Sequence, residues 1–293
     1  MIARASGSLL PYLAGTGAIL CWASLAAVTG ESLNTSPPEQ VLAWAMGISG
    51  VTLAAWDALR GLPPWLTWPG PRGAAWGVWG VLGSNGFYMF AFALAPRPQA
   101  NVLNYTWPLW IVVLGTLRGR HRFTPSLLGG GLLGLAGVAL TVGGAATPAW
   151  EHALGLFFAL CAGFSWASYN VWQPRFVPPG PGRMAWYCFL AAAGSAALGA
   201  VRGVPLLPVA DQWAGIVYIG LVPLGLAYQL WDFAARRGDL RVLGLLSYFI
   251  PPLSTLLLAL VSGAPLGGGL LAGLALILTG CAWAGSALRE KKR

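Results

Sequence analysis

The chain carries the same pattern twice, and this repetition restricts its possible folds more than any other feature. The Trp-Ala-Ser piece at 22–24 recurs at 166–168, and the Leu-x-Tyr-x-x-Pro piece at 103–108 recurs at 246–251. The two offsets, from 22 to 166 and from 103 to 246, agree to within one residue. Each half contains five long apolar stretches, and an odd number of membrane crossings per copy inverts the second copy relative to the first.

Composition indicates that these stretches cross a membrane. Hydrophobic residues make up 57% of the chain and charged residues 9%, which is typical of polytopic membrane proteins. Ten stretches approach the roughly 20 apolar residues that a crossing requires. They lie near residues 8–28, 40–59, 74–94, 98–117, 125–145, 153–172, 184–201, 213–235, 242–261 and 267–288.

We therefore predict an all-α polytopic membrane protein with ten transmembrane helices, arranged as a 5+5 inverted repeat around a central cavity. Residues 1–146 form the first five-helix repeat, and residues 147–293 form the second, inverted one. The first stretch contains a copy of the repeated pattern, so we expect it to be retained rather than removed as a signal peptide. Inverted repeats are typical of secondary transporters, whose substrate sites lie where the halves meet.

The distribution of charge predicts the orientation. If the amino terminus lies in the cytoplasm, 15 of the 17 Lys and Arg residues fall on the cytoplasmic side, and only Arg97 and Arg202 fall outside. The eight acidic residues divide evenly between the two sides. This bias follows the positive-inside rule, so the net charge of +9 reflects topology rather than a nucleic-acid partner. We expect a multi-pass protein of the bacterial inner membrane with both termini in the cytoplasm.

Two of the stretches carry a polar stripe that ends in a mid-span proline. The members of each stripe share one helix face. They are Asn101, Asn104, Tyr105 and Pro108 in the fourth stretch, and Ser247, Tyr248 and Pro251 in the ninth. A mid-span proline kinks the helix, and the carbonyl that it frees cannot face lipid. We expect Pro108 and Pro251 to be gating kinks and the stripes to face a cavity; the alternative is that each kink packs inside the bundle.

Aromatic and amide side chains gather on six of the ten stretches. A tryptophan at mid-span cannot be an interfacial anchor, so core filling and substrate contact are its two interpretations. Besides the two stripes, we expect eight further side chains to contact the substrate. They are Trp22, Ser84, Asn85, Tyr88, Trp107, Trp166, Tyr169 and Tyr228.

Charged residues are nearly absent from the stretches. Asp57 and Asp232 are exceptions, each about one turn from a cytoplasmic end, with Arg60 and Arg236 at helical spacing. Local ion pairs are the simpler interpretation, and a cytoplasmic gate latch is the alternative. An uncharged cavity suits neither phosphates nor bare cations, but it suits a zwitterion with an aromatic side chain. We predict no catalytic residues, no metal and no cofactor, and therefore no enzyme.

The fifth and tenth stretches are made largely of Gly, Leu and Ala. Gly130 and Gly134 have the small-xxx-small spacing that lets helices approach closely, and so do Gly269 and Gly273. We assign these two stretches to helix packing or to self-association, with a homo-oligomer as the alternative to a single-chain contact.

The residues resemble those of the drug/metabolite transporter superfamily, EamA type. The resemblance rests on the paired pieces at 22–24 and 166–168, the paired pieces at 103–108 and 246–251, and the Gly/Leu-rich stretches near 125–145 and 267–288. It implies a transporter, and the tryptophan content and length are similar to those of bacterial aromatic amino acid exporters in it. Where members often have an acid before the mid-span proline, this chain has Trp107 and Ile250.

We therefore expect export of aromatic or other neutral hydrophobic amino acids and related small metabolites, by alternating access and without a coupling ion. Two alternatives remain open. One is an exporter of other neutral metabolites or lipophilic drugs with proton antiport. The other is a membrane scaffold that transports nothing.

Overall fold

The chain folds into helices. The computed structural model describes residues 9–28, 36–62, 67–119, 124–143, 150–176, 182–263 and 266–290, and these residues contain no β-strand. The helices of the first half are α1 (Leu10–Ala23), α2 (Pro38–Leu59), α3 (Gly70–Leu94), α4a (Arg97–Asn104), α4b (Trp107–Leu117) and α5 (Pro125–Val142). Those of the second half are α6 (Ala153–Phe176), α7 (Arg183–Val201), α8 (Ala210–Arg237), α9a (Leu240–Ser247), α9b (Ile250–Ser262) and α10 (Gly268–Glu290).

Eight helical segments in the described residues are long and apolar enough to cross a membrane. They include the interrupted segment Leu240–Ser262, whereas α1 is apolar but has 14 residues and continues as the short helix Leu25–Val28. The interrupted segment 97–117 is not among the eight. The prediction of an all-α polytopic membrane protein is therefore confirmed, and the 5+5 arrangement of ten crossings stays a prediction.

The two mid-span prolines begin new helices instead of kinking continuous ones. Before Pro108, the chain tightens at Thr106, whose N–H donates to the Leu103 carbonyl at 3.1 Å. Before Pro251, Phe249 donates to the Leu246 carbonyl at the same distance. Both bonds join residues three apart, which is the tighter 3₁₀ pattern. The expected kinks are therefore interruptions that lie two residues ahead of each proline.

The carbonyl that Pro108 leaves without its helical donor is covered by protein. It belongs to Asn104, and it lies so close to Gly163 of α6 that a Cβ on this glycine would be 2.7 Å from the oxygen. Only glycine allows the α6 backbone to come so near. The α6 backbone thus covers this carbonyl, which has no water to bond in a bilayer.

Helices of the first half pack antiparallel against helices of the second. At the start of α2, Glu39 pairs with Arg202, which follows α7; at its end, Asp57 lies beside Gly182, which precedes α7. In the same way α1 packs on α8, α3 on α6 and α5 on α10. The buried core sits where the halves meet, and Trp231 is the largest of its fully buried side chains.

Glycines bring α5 and α10 into backbone contact. A Cβ on Gly130 would lie 2.4 Å from the Gly280 carbonyl oxygen, and one on Gly137 would lie 2.5 Å from that of Gly273. The predicted packing role of these Gly-rich stretches is therefore met inside one chain. A homo-oligomer stays a prediction, and its contact would need another face of these two helices.

We predict that Gly280→Ala destabilises the protein by about 1–3 kcal/mol, because its Cβ would lie 2.4 Å from the Gly130 carbonyl oxygen and two helix backbones must separate. Gly285→Ala is the matched control on the same helix, since a Cβ there meets nothing within 4 Å. Thermal unfolding in detergent measures both variants. Equal midpoints for the two would contradict close backbone packing at Gly280.

Candidate substrate site

Six aromatic side chains from both halves form one cluster at the centre of the bundle. We define this aromatic cluster as Trp22 of α1, Trp107 of α4b, Trp166 and Tyr169 of α6, and Tyr228 and Trp231 of α8. The Trp22 ring centroid lies 5.3 Å from that of Trp231 and 6.2 Å from that of Trp166. The Trp166 ring stacks on Tyr228 at 5.6 Å. Five of the expected substrate contacts are thus brought together.

Two π-helical turns lie beside this cluster. They span Val78–Gly83 within α3 and Val222–Leu226 within α8. Glycines in and before the first turn leave room for rings of the other half: a Cβ on Gly80 would lie 2.2 Å from Tyr169 Cγ, and one on Gly77 would lie 2.0 Å from Tyr187 Cδ1. The α3 backbone therefore forms part of the wall against which the Tyr169 ring packs.

Side-chain donors form hydrogen bonds to backbone carbonyl oxygens in both π turns. The Trp22 indole N–H donates to the Pro223 carbonyl at 2.9 Å, and the Ser49 hydroxyl donates to that of Leu224 at 2.8 Å. In α3, the Asn85 amide donates to the Val81 carbonyl at 2.8 Å. A π turn disturbs the regular helical bonding, so these donors keep the backbone satisfied inside the membrane. Trp22 is therefore both a ring of the cluster and a backbone partner of α8.

Two buried amide side chains form hydrogen bonds to rings of the cluster. Asn170 accepts from the Trp231 indole N–H at 2.9 Å and donates to the Trp166 carbonyl at 2.8 Å. Gln173 donates to the Tyr169 hydroxyl at 2.9 Å and to Asp232 at 3.2 Å. Both amides are at most 4% exposed. The indole and phenol rings are therefore held by hydrogen bonds as well as by packing.

Trp231 and the role of Asn170 were not predicted from the sequence. Trp231 lies three residues after Tyr228 and so shares its helix face, which is a signal that the pattern contained. The pairing of Asn170 with Trp231 depends on the packing of α6 against α8, so no local pattern predicts it.

The polar side chains of α3 and α4a form a second, half-exposed group next to the cluster. Asn85 donates to the Tyr228 hydroxyl at 2.8 Å, and the Tyr88 hydroxyl donates to Asn101 Oδ1 at 2.6 Å. Ser84 bonds the carbonyl of Val81 in its own helix. Asn104 is also half-exposed. The predicted residues of these helices therefore lie between the aromatic cluster and the end of α3 at Leu94.

The tyrosines of the two stripes lie elsewhere. Tyr105 is 9% exposed and Tyr248 is fully buried, in a separate group of apolar side chains that Trp22 also touches. The Tyr248 ring packs on α5, where a Cβ on Gly134 would lie 2.4 Å from its Cδ2. Ser247 donates to the Leu243 carbonyl of its own helix at 2.9 Å. Tyr248 and Ser247 thus do not join the aromatic cluster in this structure.

One of the two expected local ion pairs forms. Arg236 Nε lies 2.7 Å from Asp232 Oδ2. Asp57 is 3% exposed, and its Oδ1 has no hydrogen-bond partner among the described residues. Arg60 lies over the Trp56 ring instead, with Cζ 5.6 Å from the centroid. The prediction for Asp57 was wrong because Arg60 follows the end of α2, where its side chain reaches the surface.

Comparison with known proteins agrees with this membrane architecture. The sequence matches the EamA-like transporter family over residues 9–143 and again over residues 153–286. These two matches cover most of the chain. The chain belongs to the EamA-like transporter family. The predicted resemblance to EamA-type proteins is thereby confirmed.

Two named proteins and one solved structure resemble the chain. The aromatic amino acid exporter YddG of Ancylobacter novellus is 34% identical over 290 residues, which cover 96% of this chain and 97% of that protein. The aromatic amino acid exporter YddG of Escherichia coli K12 is 24% identical over 57% of this chain and 60% of its own. A solved crystal structure at 34% identity superposes with a TM-score of 0.86, over 96% of this chain and 98% of that one.

We predict that Asn170→Ala destabilises the protein by about 1–3 kcal/mol, because it leaves the buried Trp231 indole N–H without an acceptor. In a Trp231→Phe background that N–H is absent, so the same substitution should cost less. A double-mutant cycle on unfolding in detergent should give a coupling of about 1 kcal/mol. Additive costs would contradict a direct role of Asn170 in orienting Trp231.

Proposed function

We propose that this protein exports aromatic amino acids, and related small neutral metabolites, across the bacterial inner membrane. The observation that carries this proposal is the aromatic cluster, in which rings from α1 and α4b meet rings from α6 and α8. Relatives named as aromatic amino acid exporters support the substrate class. On the charge pattern, both termini lie in the cytoplasm.

We infer that the two halves are inverted copies of one five-helix unit. The family matches the chain twice, over 9–143 and 153–286, which supports a duplication. The π turns beginning at Val78 and Val222 stand one repeat offset apart, and each half has one helix interrupted before a proline. The antiparallel pairing of α2 with α7, and of α5 with α10, supports inversion because these are equivalent helices in the two copies.

The chemistry of the cluster fits an aromatic zwitterion. Each ring contact contributes roughly 0.5–1.5 kcal/mol beyond simple burial, and an ammonium over an indole face adds a similar amount. Asn85, Tyr88 and Asn101 lie next to the cluster and offer uncharged donors and acceptors for the polar end of the substrate. Binding built from such contacts is moderate, which suits a carrier that must release its substrate.

Alternating access is the transport mechanism that we propose. Ala100 is the one buried residue of α4a, whereas about half of the residues of α4b and of α9a are buried. Half-exposed polar side chains at membrane depth need water, so they support an opening toward the α4a end. On the side of the cluster away from α4a, the space is closed by Asn170, Gln173 and Asp232. Pro108 and Pro251 lie at the points where segments could bend between states.

Our first transport prediction concerns Trp22. Trp22→Ala should lower the flux of labelled tryptophan from reconstituted vesicles by about tenfold, because it removes several ring contacts. Trp150→Ala is the control, since Trp150 is 90% exposed. Unlabelled phenylalanine and tyrosine should compete with tryptophan, whereas alanine and leucine should not.

Other outcomes of this assay favour the alternatives. Competition by unrelated lipophilic compounds alone would favour a drug or metabolite exporter. An absence of flux in the wild type, with folded protein, would favour a membrane scaffold. Loss of folded protein in the Trp22→Ala variant would assign the ring to core packing.

Our second transport prediction concerns coupling. The aromatic cluster contains no carboxylate, so flux should follow the substrate gradient and keep the same initial rate when a pH gradient is collapsed. The buried Asp57 carboxylate, whose Oδ1 has no hydrogen-bond partner among the described residues, is the observation that favours proton antiport as the second candidate. Flux that is driven by a pH gradient in the wild type, and not in Asp57→Asn, would replace uncoupled export by antiport.

A further inference from the structure

A groove on the outer surface of the bundle runs between α3 and α6, apart from the aromatic cluster. Its volume is about 400 Å³. Its lining consists of Trp76, Trp79, Phe164, Ser168, Trp172 and Phe176. Phe164 is 37% exposed although it lies near the middle of α6, so the groove opens sideways toward the bilayer. We call it the lateral groove.

The lateral groove offers hydrocarbon contact rather than recognition of a polar molecule. The indole N–H of Trp79 donates to the Ser168 hydroxyl at 2.8 Å, and that hydroxyl donates to the Ser165 carbonyl at 3.0 Å. The Trp76 indole N–H points to the Tyr169 carbonyl at 3.4 Å. These polar atoms are engaged within the protein. An amino acid, which must satisfy a carboxylate and an ammonium, is therefore a poor occupant.

The length of the groove matches one leaflet. Phe164, Ser168, Trp172 and Phe176 follow one another at intervals of four residues along α6. The twelve residue-to-residue steps from Phe164 to Phe176 rise about 18 Å along a helix. One leaflet of hydrocarbon is about 15 Å thick, half of the bilayer core. The groove thus runs from mid-membrane to the interface where α3 begins and α6 ends.

Arginines stand at that interfacial end. Arg72 is exposed and lies one helical turn before Trp76, and Arg175 is exposed with its Cζ 6.0 Å from the Phe176 ring. Neither forms an ion pair with a described residue. Arg118 adds a third positive charge nearby, donating to the Val171 carbonyl. Charge complementarity at this end therefore favours an anionic group at the lipid headgroup level.

The groove lies between α3 of the first half and α6 of the second, and its aromatic lining does not recur at the equivalent pair of helices, α8 and α1. One repeat offset away, Gly220 and Pro223 stand in place of Trp76 and Trp79, and Leu20 and Val28 in place of Phe164 and Trp172. A feature needed simply to build the fold would recur in both copies. The aromatic lining and the arginines are therefore a local addition to the fold.

We propose that the lateral groove is a binding site for one anionic phospholipid. Its acyl chain lies along the aromatic wall of α3 and α6, and its phosphate lies between Arg72 and Arg175. Basic pockets beside transmembrane helices hold anionic headgroups in this way. This site does not depend on which substrate the protein exports.

Lipid binding to the full-length protein in detergent tests this proposal. Phosphatidylglycerol should raise the unfolding midpoint and appear as one retained lipid in native mass spectrometry, whereas phosphatidylcholine with the same chains should do neither. Arg72→Gln with Arg175→Gln should weaken phosphatidylglycerol binding by about tenfold. The matched control is Arg60→Gln with Arg237→Gln, two exposed arginines that also lie over rings, Trp56 and Phe233.

Each of the following outcomes would contradict the proposed lipid site. Equal effects of the two lipids would indicate ordinary annular contact. Equal loss in both double variants would indicate general surface charge. An equal effect of inorganic phosphate or of glycerol phosphate would indicate an ion site without a lipid chain. If the Arg72/Arg175 variant does not fold, Phe164→Ala at the exposed mid-membrane end should still weaken retention of phosphatidylglycerol.

Discussion

Backbone carbonyls in the membrane need hydrogen-bond donors or a protein cover, and this requirement shapes the centre of the molecule. The chain departs from regular α-helix at the π turns of α3 and α8 and at the interruptions before Pro108 and Pro251. Water cannot compensate for such departures in hydrocarbon. The protein meets them with side-chain donors, such as Trp22 on the Pro223 carbonyl, and with the close backbone of Gly163 over the Asn104 carbonyl. The irregular backbone segments, and the contacts that compensate for them, are therefore concentrated where the halves meet.

The aromatic cluster follows from the same requirement. Trp22 lies against Trp231 because its indole N–H is directed at the α8 backbone, and the Trp231 indole N–H is in turn directed at Asn170. Each indole thus has a fixed polar end and leaves its ring faces to its neighbours. An uncharged, ring-rich centre results, with the ion pair of Asp232 and Arg236 displaced toward the helix ends. That arrangement leaves the indole N–H groups to hold the bundle and the ring faces to the proposed substrate.

The sequence predicted the helical segments and most of the cluster, because both depend on local pattern. Trp22 and Trp166 stood out as a repeated pair in the middle of apolar stretches, and they meet in the structure. The π turns were not predicted, because one extra residue in a turn scarcely alters the periodicity of an apolar helix. Tyr248 was placed with the site residues, yet its ring faces Gly134. Which neighbour a helix face meets is decided by long-range packing, and a single sequence does not contain that information.

The hydrogen bond from Trp22 to Pro223 has a geometric consequence. A π turn contains an additional residue relative to the α-helix around it, and its removal would turn the rest of α8 by about 100°. Tyr228 and Trp231 both follow the turn, so such a change of register would carry their rings away from Trp166 together. Because Trp22 bonds a carbonyl inside that turn, its indole orientation and the register of α8 are tied to each other. A change in this single turn of α8 would thus rearrange the whole ring assembly without unfolding any helix.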